Sequence, residues 1–161
     1  MGENLRLTIQ VGQDTDQEGN SLRVAKMFMG GTEPALEQAF KDACDAFAAR
    51  DPTIGGLLDK YVKVYSVKHQ NLHTPRDGAT GAIKYFADQF SLDNPKFDPN
   101  AYGSPNYNVT GNGMFGTVDG DADWTDNSSA GRPEHIQFFF DFSFDSVNNQ
   151  WMITRLWSKP K

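Results

Sequence analysis

The chain of 161 residues contains one cysteine, Cys44, and three histidines. A single thiol forms no internal disulfide and builds no metal site by itself. A reducing compartment, the cytoplasm, is therefore the default expectation. Lys and Arg number 15 against 21 Asp and Glu, a net charge of −6. Phosphate backbones are bound by clustered cations, which this balance does not supply, so no nucleic-acid partner is expected. Neutral or cationic small molecules, or a second copy of the chain, fit better. No apolar stretch approaches the ~20 residues needed to span a bilayer. The opening MGENLRLTIQVGQD has no basic region followed by an apolar run, so no signal peptide is expected either. Internal repeats and low-complexity blocks are also absent from the sequence.

What the chain has in quantity is phenylalanine, with 12 Phe in a hydrophobic content of 38%. That composition supports a packed core and excludes a disordered chain. The length fits one domain on the rough scale of ~100–200 residues per domain. Much of the aromatic content is concentrated in His135–Asp145, HIQFFFDFSFD. Ile136, Phe138, Phe140, Phe142 and Phe144 recur at every second position, so a strand here has one wholly apolar face. The other face carries His135, Gln137, Phe139, Asp141, Ser143 and Asp145. The rest of the chain must cover the apolar side.

Leu5, Leu7, Ile9 and Val11 alternate with polar residues, and Ser21–Met29 alternates less cleanly beyond the turn-forming DTDQEGN. This predicts an N-terminal β-hairpin, or else a tail laid across the domain. Gly30-Gly31 marks its boundary, giving an arm over 1–31 and a domain over 32–161. Thr32 and Pro34 suit a helix start. Leu36, Ala39, Phe40, Ala43, Phe47 and Ala48 form its apolar stripe, and Cys44 beside it reads as a small buried hydrophobe. Thr53–Tyr61 predicts a short second helix weakened by Gly55 and Gly56. Val62–His69 predicts a strand, with Tyr65, Val67 and His69 on one face. Gly78–Phe90 predicts a third helix, with Ile83, Phe86, Ala87 and Phe90 buried. Ser91–Pro105 predicts a long surface loop, of the kind that can act as a lid. From Asn106 the pattern is all strand, with a tight turn expected at Asp119-Gly120-Asp121 and Trp124 on the returning strand.

The final hairpin has two registers. A four-residue loop at Ser146–Asn149 sets Trp151, Ile153, Arg155 and Trp157 on the Phe face, opposite Phe144, Phe142, Phe140 and Phe138. A one-residue shift instead brings Met152, Thr154 and Leu156 to that face and leaves Arg155 near Asp141. Arg155 then holds either a ligand group or a structural contact with Asp141 or a ring. No metal site is expected. Asp119, Asp121, Asp123 and Asp126 lack EF-hand spacing, and His69 and His73 lack a third ligand.

Helices followed by a run of antiparallel strands imply an α+β domain with helices on one face of a sheet. In that order, LEQAFKDACDAFAARD, GAIKYFADQF led by PRDGAT, YNVTGNGMFGTVDGDADW and NQWMITRLWS resemble the NTF2-like superfamily, and within it the SnoaL-like (polyketide cyclase-like) proteins. The resemblance spans Glu33–Lys159, about four-fifths of the chain; Asn4–Met29 is not part of the usual pattern. It implies a cone: about three N-terminal helices on a strongly curved, mixed, mostly antiparallel sheet, here with an extra N-terminal hairpin. It implies an apolar pocket for a small, perhaps cyclic, molecule and a homodimer formed through the outer sheet face.

It further implies cofactor-free proton transfer, as in isomerases, cyclases and lyases, or alternatively a non-catalytic ligand-binding or association module. The catalytic candidates are His69, Tyr65 and Asp141; Asp141 points outward if the Phe face lines the pocket. The ligand-binding candidates are Phe86, Tyr107, Trp124, Phe138, Phe140, Phe142, Arg155 and Trp157. Dehydratase-like members often carry a His at the start of the strand that here begins Asn106-Tyr107, and this chain has none there.

Overall fold

A computed structural model describes residues 5–13, 22–66, 79–92 and 94–161. β1 (Leu5–Gln13) and β2 (Leu22–Gly31) pair antiparallel as a two-stranded sheet of their own. α1 (Glu33–Ala48) follows, then a 3-10 turn (Pro52–Leu57), β3 (Leu58–Ser66), α2 (Ala79–Leu92), β4 (Lys96–Asp98), β5 (Asn106–Thr110), β6 (Phe115–Thr125), β7 (Glu134–Asp145) and β8 (Gln150–Pro160). The second sheet is six-stranded, in the order β3-β8-β7-β6-β4, with β5 also on β6. Only β3 and β8 run parallel; the remaining ladders are antiparallel. The class is α+β with a mixed, mostly antiparallel sheet, as the element order implied. No helix among the described residues is long and apolar enough to cross a membrane.

α1 forms where its apolar stripe predicts. Thr32 accepts a hydrogen bond from the Ala35 amide at 3.4 Å, and Pro34 sits in the first turn. Leu36, Phe40 and Ala43 are the buried face. The expected second helix is replaced by the 3-10 turn, and Leu58 already begins β3. Gly55 and Gly56 remove α-helical propensity there, and Asp51 accepts from the Thr53 amide at 2.9 Å, which caps a tight turn instead. Val62 and Val64 of β3 are buried. The part of the expected strand beyond Ser66, with Val67 and His69, lies outside the described residues.

The turn expected at Asp119-Gly120-Asp121 is the middle of β6. The chain reverses earlier, at Gly111–Met114, where Gly111, Asn112 and Gly113 have φ of 62°, 56° and 84°. Those angles favour Gly and Asn over other residues. Gly120 serves another end: it pairs with Phe138, and a Cβ there would stand 3.3 Å from that ring. The backbones of Gly30 and Gly113 also approach closely, because a Cβ on either would overlap the other segment. The Gly31 amide donates to the Gly113 carbonyl at 2.8 Å. Gly30-Gly31 is therefore less a break than a seam between hairpin and body. The expected loop after α2 contains β4, whose three residues pair with Asp123, Trp124 and Thr125.

The β7–β8 register resolves both expected alternatives. Asp145 faces Gln150, Phe144 faces Trp151 and Phe142 faces Ile153, as a four-residue loop requires. The ladder then slips by one: Asp141 faces Arg155, Phe140 faces Leu156 and Phe139 faces Trp157. Thr154 is the extra residue, and its hydroxyl donates to the Asp141 carbonyl at 3.1 Å. A bulge exchanges the faces of every residue beyond it. Arg155 and Trp157 are therefore on the outer face, and Leu156 joins the buried one.

Deleting Thr154 removes the extra residue but leaves Arg155 opposite Asp141 and Leu156 opposite Phe140, so it should cost about 1 kcal/mol, the worth of the lost hydroxyl bond. Leu156→Arg, which sets an unpaired charge on the apolar face where Leu156 is buried, should instead cost about 3–5 kcal/mol. Urea denaturation midpoints of the two variants check the difference.

Candidate ligand-binding site

The inner face of the sheet is lined by rings, and α1 delivers the ring at their centre. Phe40 lies flat on Phe138, with centroids 5.7 Å apart and planes 8° apart. It meets Phe140 edge-on at 5.0 Å and Tyr107 at 6.1 Å. From β4, Phe97 stands edge-on to Phe138 at 5.2 Å and parallel to Phe140 at 6.3 Å. A second group gathers at the end of α1. There Phe47 contacts Phe90 at 5.1 Å, Trp124 at 5.9 Å and Phe86 at 6.2 Å. Arg50 locks this group. Its guanidinium lies 5.0 Å from the Phe90 centroid and donates to Phe47 O at 3.0 Å, Asn94 Oδ1 at 2.8 Å and Pro95 O at 2.5 Å.

Along β7, Phe138 and Phe142 are 1% and 2% exposed, yet Phe140 between them is only half-buried. It sits mid-strand, on the side that α1 covers. Solvent that reaches it reaches the inner face, so the rings do not close over Phe140. Phe97 and Tyr107 beside this group are half-buried as well.

Polar groups on this side are few among the described residues. Burial pushes the Cys44 thiol up from 9.0 to about 12, with the Asp45 carboxylate adding to the shift. At neutral pH it is an inert thiol. The Tyr107 phenol is also raised, first by desolvation and then by Glu37 and Cys44. Asp126 is 5% exposed and fully engaged: the Trp124 indole donates to it at 2.7 Å, the Ser128 hydroxyl at 2.6 Å and the Ser128 amide at 2.9 Å. It holds Trp124 in place. Among the described residues no three or more His, Cys, Asp or Glu converge as they would on a metal ion.

The structure sorts the expected site residues into two sets. Phe86, Tyr107, Trp124, Phe138, Phe140 and Phe142 all belong to the inner cluster. Asp141, Arg155 and Trp157 do not: Asp141 follows the alternation of β7, and the Thr154 bulge turns Arg155 and Trp157 outward. The Arg155 Nε is 2.6 Å from Asp141 Oδ2 on the outer face, and Trp157 stacks on Phe139 at 4.0 Å. Asp141 is thus a structural partner of Arg155 and faces away from the rings. Tyr65 pairs with Trp157 in the β3–β8 ladder, and Val64 pairs with the buried Leu156. His69 lies outside the described residues. Phe40 and Phe97 are the site residues that sequence reasoning left out. Helical spacing marked Phe40 as core, and Phe97 sat in a Pro-rich stretch read as loop.

The outer face carries its own cluster. His135 Nε2 is 3.5 Å from Asp121 Oδ1, and Lys161 Nζ is 2.8 Å from Asp121 Oδ2. The hydrogen bond from Lys161, and then the charges of Lys161 and His135, hold the Asp121 carboxyl below its ordinary range. Asp119 and Asp121, read from the sequence as part of a turn, and Asp123, read as part of the strand after it, are alternate residues of β6 pointing outward.

The sequence matches no family model and no curated protein. Solved structures do resemble the fold. An NTF2-like protein of unknown function from Pseudomonas putida KT2440 superposes with a TM-score of 0.63 at 8% identity, over 79% of this chain and 84% of that one. A hexachlorocyclohexane dehydrochlorinase from Novosphingobium barchaimii LL02 gives 0.62 at 9% identity, over 80% and 85%. A putative calcium/calmodulin dependent protein kinase II association domain from Xanthomonas campestris gives 0.58 at 16% identity, over 78% and 85%. The fold is NTF2-like. At these identities the likeness carries the architecture alone, and NTF2-like folds host unrelated activities. In this NTF2-like domain the described inner face has rings in abundance and no carboxylate or imidazole free to move a proton.

The Cys44 thiol supplies a direct check on that interior. A rise from 9.0 to about 12 lowers the thiolate fraction at pH 8 by roughly a thousandfold. Iodoacetamide should therefore label the native protein at least that much more slowly than the urea-unfolded chain. Comparable rates would contradict a buried Cys44.

Proposed function

We propose that this protein binds a small, neutral, ring-containing molecule on the inner face of the cone, against Phe140. The half-buried ring in the middle of the covered strand carries the reading. A planar apolar ligand gains ring contacts there. A charged ligand loses its hydration there. The SnoaL-like motifs support the same reading, and one structural neighbour is named for a neutral cyclic compound. Catalysis by proton transfer, as in a cofactor-free isomerase, cyclase or lyase, would draw on His69 and Tyr65. Asp141 has no part in it.

The second reading is an association module, and the outer face favours it. Phe139 and Trp157 stack at 4.0 Å while half-exposed, and Lys159 lies 5.8 Å from the Trp157 ring. We propose that two copies meet through this face. The two readings are compatible, since they use opposite sides of one sheet.

N-phenyl-1-naphthylamine, a neutral fluorescent probe, tests the first. It should bind the wild-type protein, and Phe140→Leu should weaken it about three- to tenfold, the worth of one ring contact. Tyr61→Phe, at the exposed edge of β3, should leave it unchanged. In competition, 2-acetylnaphthalene should outcompete 2-naphthoate by at least about a hundredfold. Equal competition by the carboxylate would sink the reading. For the second, sedimentation velocity should show a dimer that Trp157→Lys converts to monomer. A monomeric wild-type protein would remove the association reading.

A further inference from the structure

β4 and β5 share one edge of β6 but do not meet. The β5 ladder ends at Asp119, paired with Asn106, and the β4 ladder begins at Asp123, paired with Asp98. Gly120, Asp121 and Ala122 thus have no strand partner on that side. On the inner face the gap presents two small residues, Gly120 beside Phe138 and Ala122 beside Ile136. The connection Pro99–Pro105 lies over it. The Pro105 Cα is 3.5 Å from where a Cβ of Gly120 would stand, and Pro99 and Pro105 are buried.

The apex of this connection reaches to the other side of the sheet. The Tyr102 ring lies flat on His135, with centroids 3.8 Å apart and planes 8° apart, and its hydroxyl donates to Asp123 Oδ1 at 2.5 Å. Yet Tyr102 is 51% exposed, so burial does not hold it there. Among the described residues it is the one side chain of 99–105 hydrogen-bonded to the sheet. Its platform is fixed from behind. Lys161 bonds Asp121 through Nζ at 2.8 Å and donates its amide to His135 O at 3.1 Å. Next to the apex, Gly103 has φ of +111°, a conformation that L side chains rarely adopt. The strands that flank the connection carry Phe97 and Tyr107, both among the inner rings.

We infer that Pro99–Pro105 is a hinged strap closing a side entrance to the inner face at Gly120–Ala122, and that Tyr102 is its latch. The inference rests on the binding reading above and adds how that site is entered. Latched, the strap closes the gap against Gly120. Released, it opens a route past Gly120 and Ala122 to Phe138 and Phe140, with no bulky side chain of β6 in the way. Tyr102 touches no ligand and acts by positioning the strap.

Stopped-flow binding of N-phenyl-1-naphthylamine tests the latch. Tyr102→Ala should raise both the association and dissociation rates about tenfold, the factor supplied by losing a ring stack and a charge-assisted hydrogen bond. The equilibrium affinity should stay within about threefold, because an entrance changes rates and leaves the bound contacts alone. Tyr102→Phe keeps the stack and should recover most of the wild-type kinetics. Tyr61→Phe, exposed on β3 and away from the strap, should leave the rates unchanged. Hydrogen exchange at Asn100–Gly103 should quicken in Tyr102→Ala with or without probe. Rates within twofold of wild type in Tyr102→Ala, or a loss of affinity with an unchanged association rate, would overturn the latch while the binding reading stands. Failure of the probe to bind the wild-type protein would overturn both.

Discussion

A strand with an unbroken apolar side must be covered along its length, and β7 is too long for its helix. Its twelve residues extend about 40 Å at ~3.3 Å per residue. The sixteen residues of α1 span about 24 Å at 1.5 Å per residue. Phe40 fixes where the helix sits, flat on Phe138 and edge-on to Phe140. What α1 leaves uncovered falls to side chains from elsewhere: Phe97 from β4, Trp151 from β8, and Phe86 and Phe90 through Phe47. A face covered by side chains from several elements is harder to close than one covered by a single helix. Phe140 is where the cover falls short.

The parts of this arrangement that obey a simple period were legible in the sequence. The Phe strand follows period two and α1 follows the helical stripe, and both formed, like α2, within a residue or two of expectation, but in α2 Ile83 and Ala87 of the expected stripe are exposed and Ala82 is buried instead. The misplaced parts turn on single residues that break a period. Thr154 occupies a position whose alternation looks regular on both sides, so nothing local announces the bulge. Both registers of β8 were conceivable, and each holds for half of the strand. Gly120 looked like a turn residue because Asp-Gly-Asp is turn chemistry. Its actual constraint is the Phe138 ring on the neighbouring strand, a contact made across 18 positions of sequence that no local pattern reports. β4 hid among prolines because three residues carry too little alternation to register.

Charge is divided between the two sides of the sheet. Asp119, Asp121, Asp123, Asp141, His135 and Arg155 all belong to the outer side, where water and mutual pairing make charge inexpensive. The rings have the inner side, together with Cys44, Tyr107 and the engaged Asp126. A site built this way selects by shape and by the cost of desolvation. It offers a substrate little to exchange protons with. Among the described residues a His–Asp pair stands on the outer side, in His135 and Asp121, beneath the Tyr102 ring.

One inserted residue separates these two surfaces. Without the bulge at Thr154, strict alternation would carry Arg155 and Trp157 inward beside Phe140 and Phe138, and Leu156 outward. With it, the guanidinium leaves the apolar side and finds Asp141 at 2.6 Å, and the indole leaves with it to stack on Phe139. The inner face is thereby cleared of charge, and the outer face acquires its aromatic stack in the same step. The chemistry open to each side of the sheet thus depends on a bulge whose only visible tether is one hydroxyl donating to the Asp141 carbonyl. A bulge is tolerated where both resulting faces are better satisfied than in the regular ladder. Here that condition is met twice over: a cation is kept out of a cluster of rings, and a leucine is kept in it.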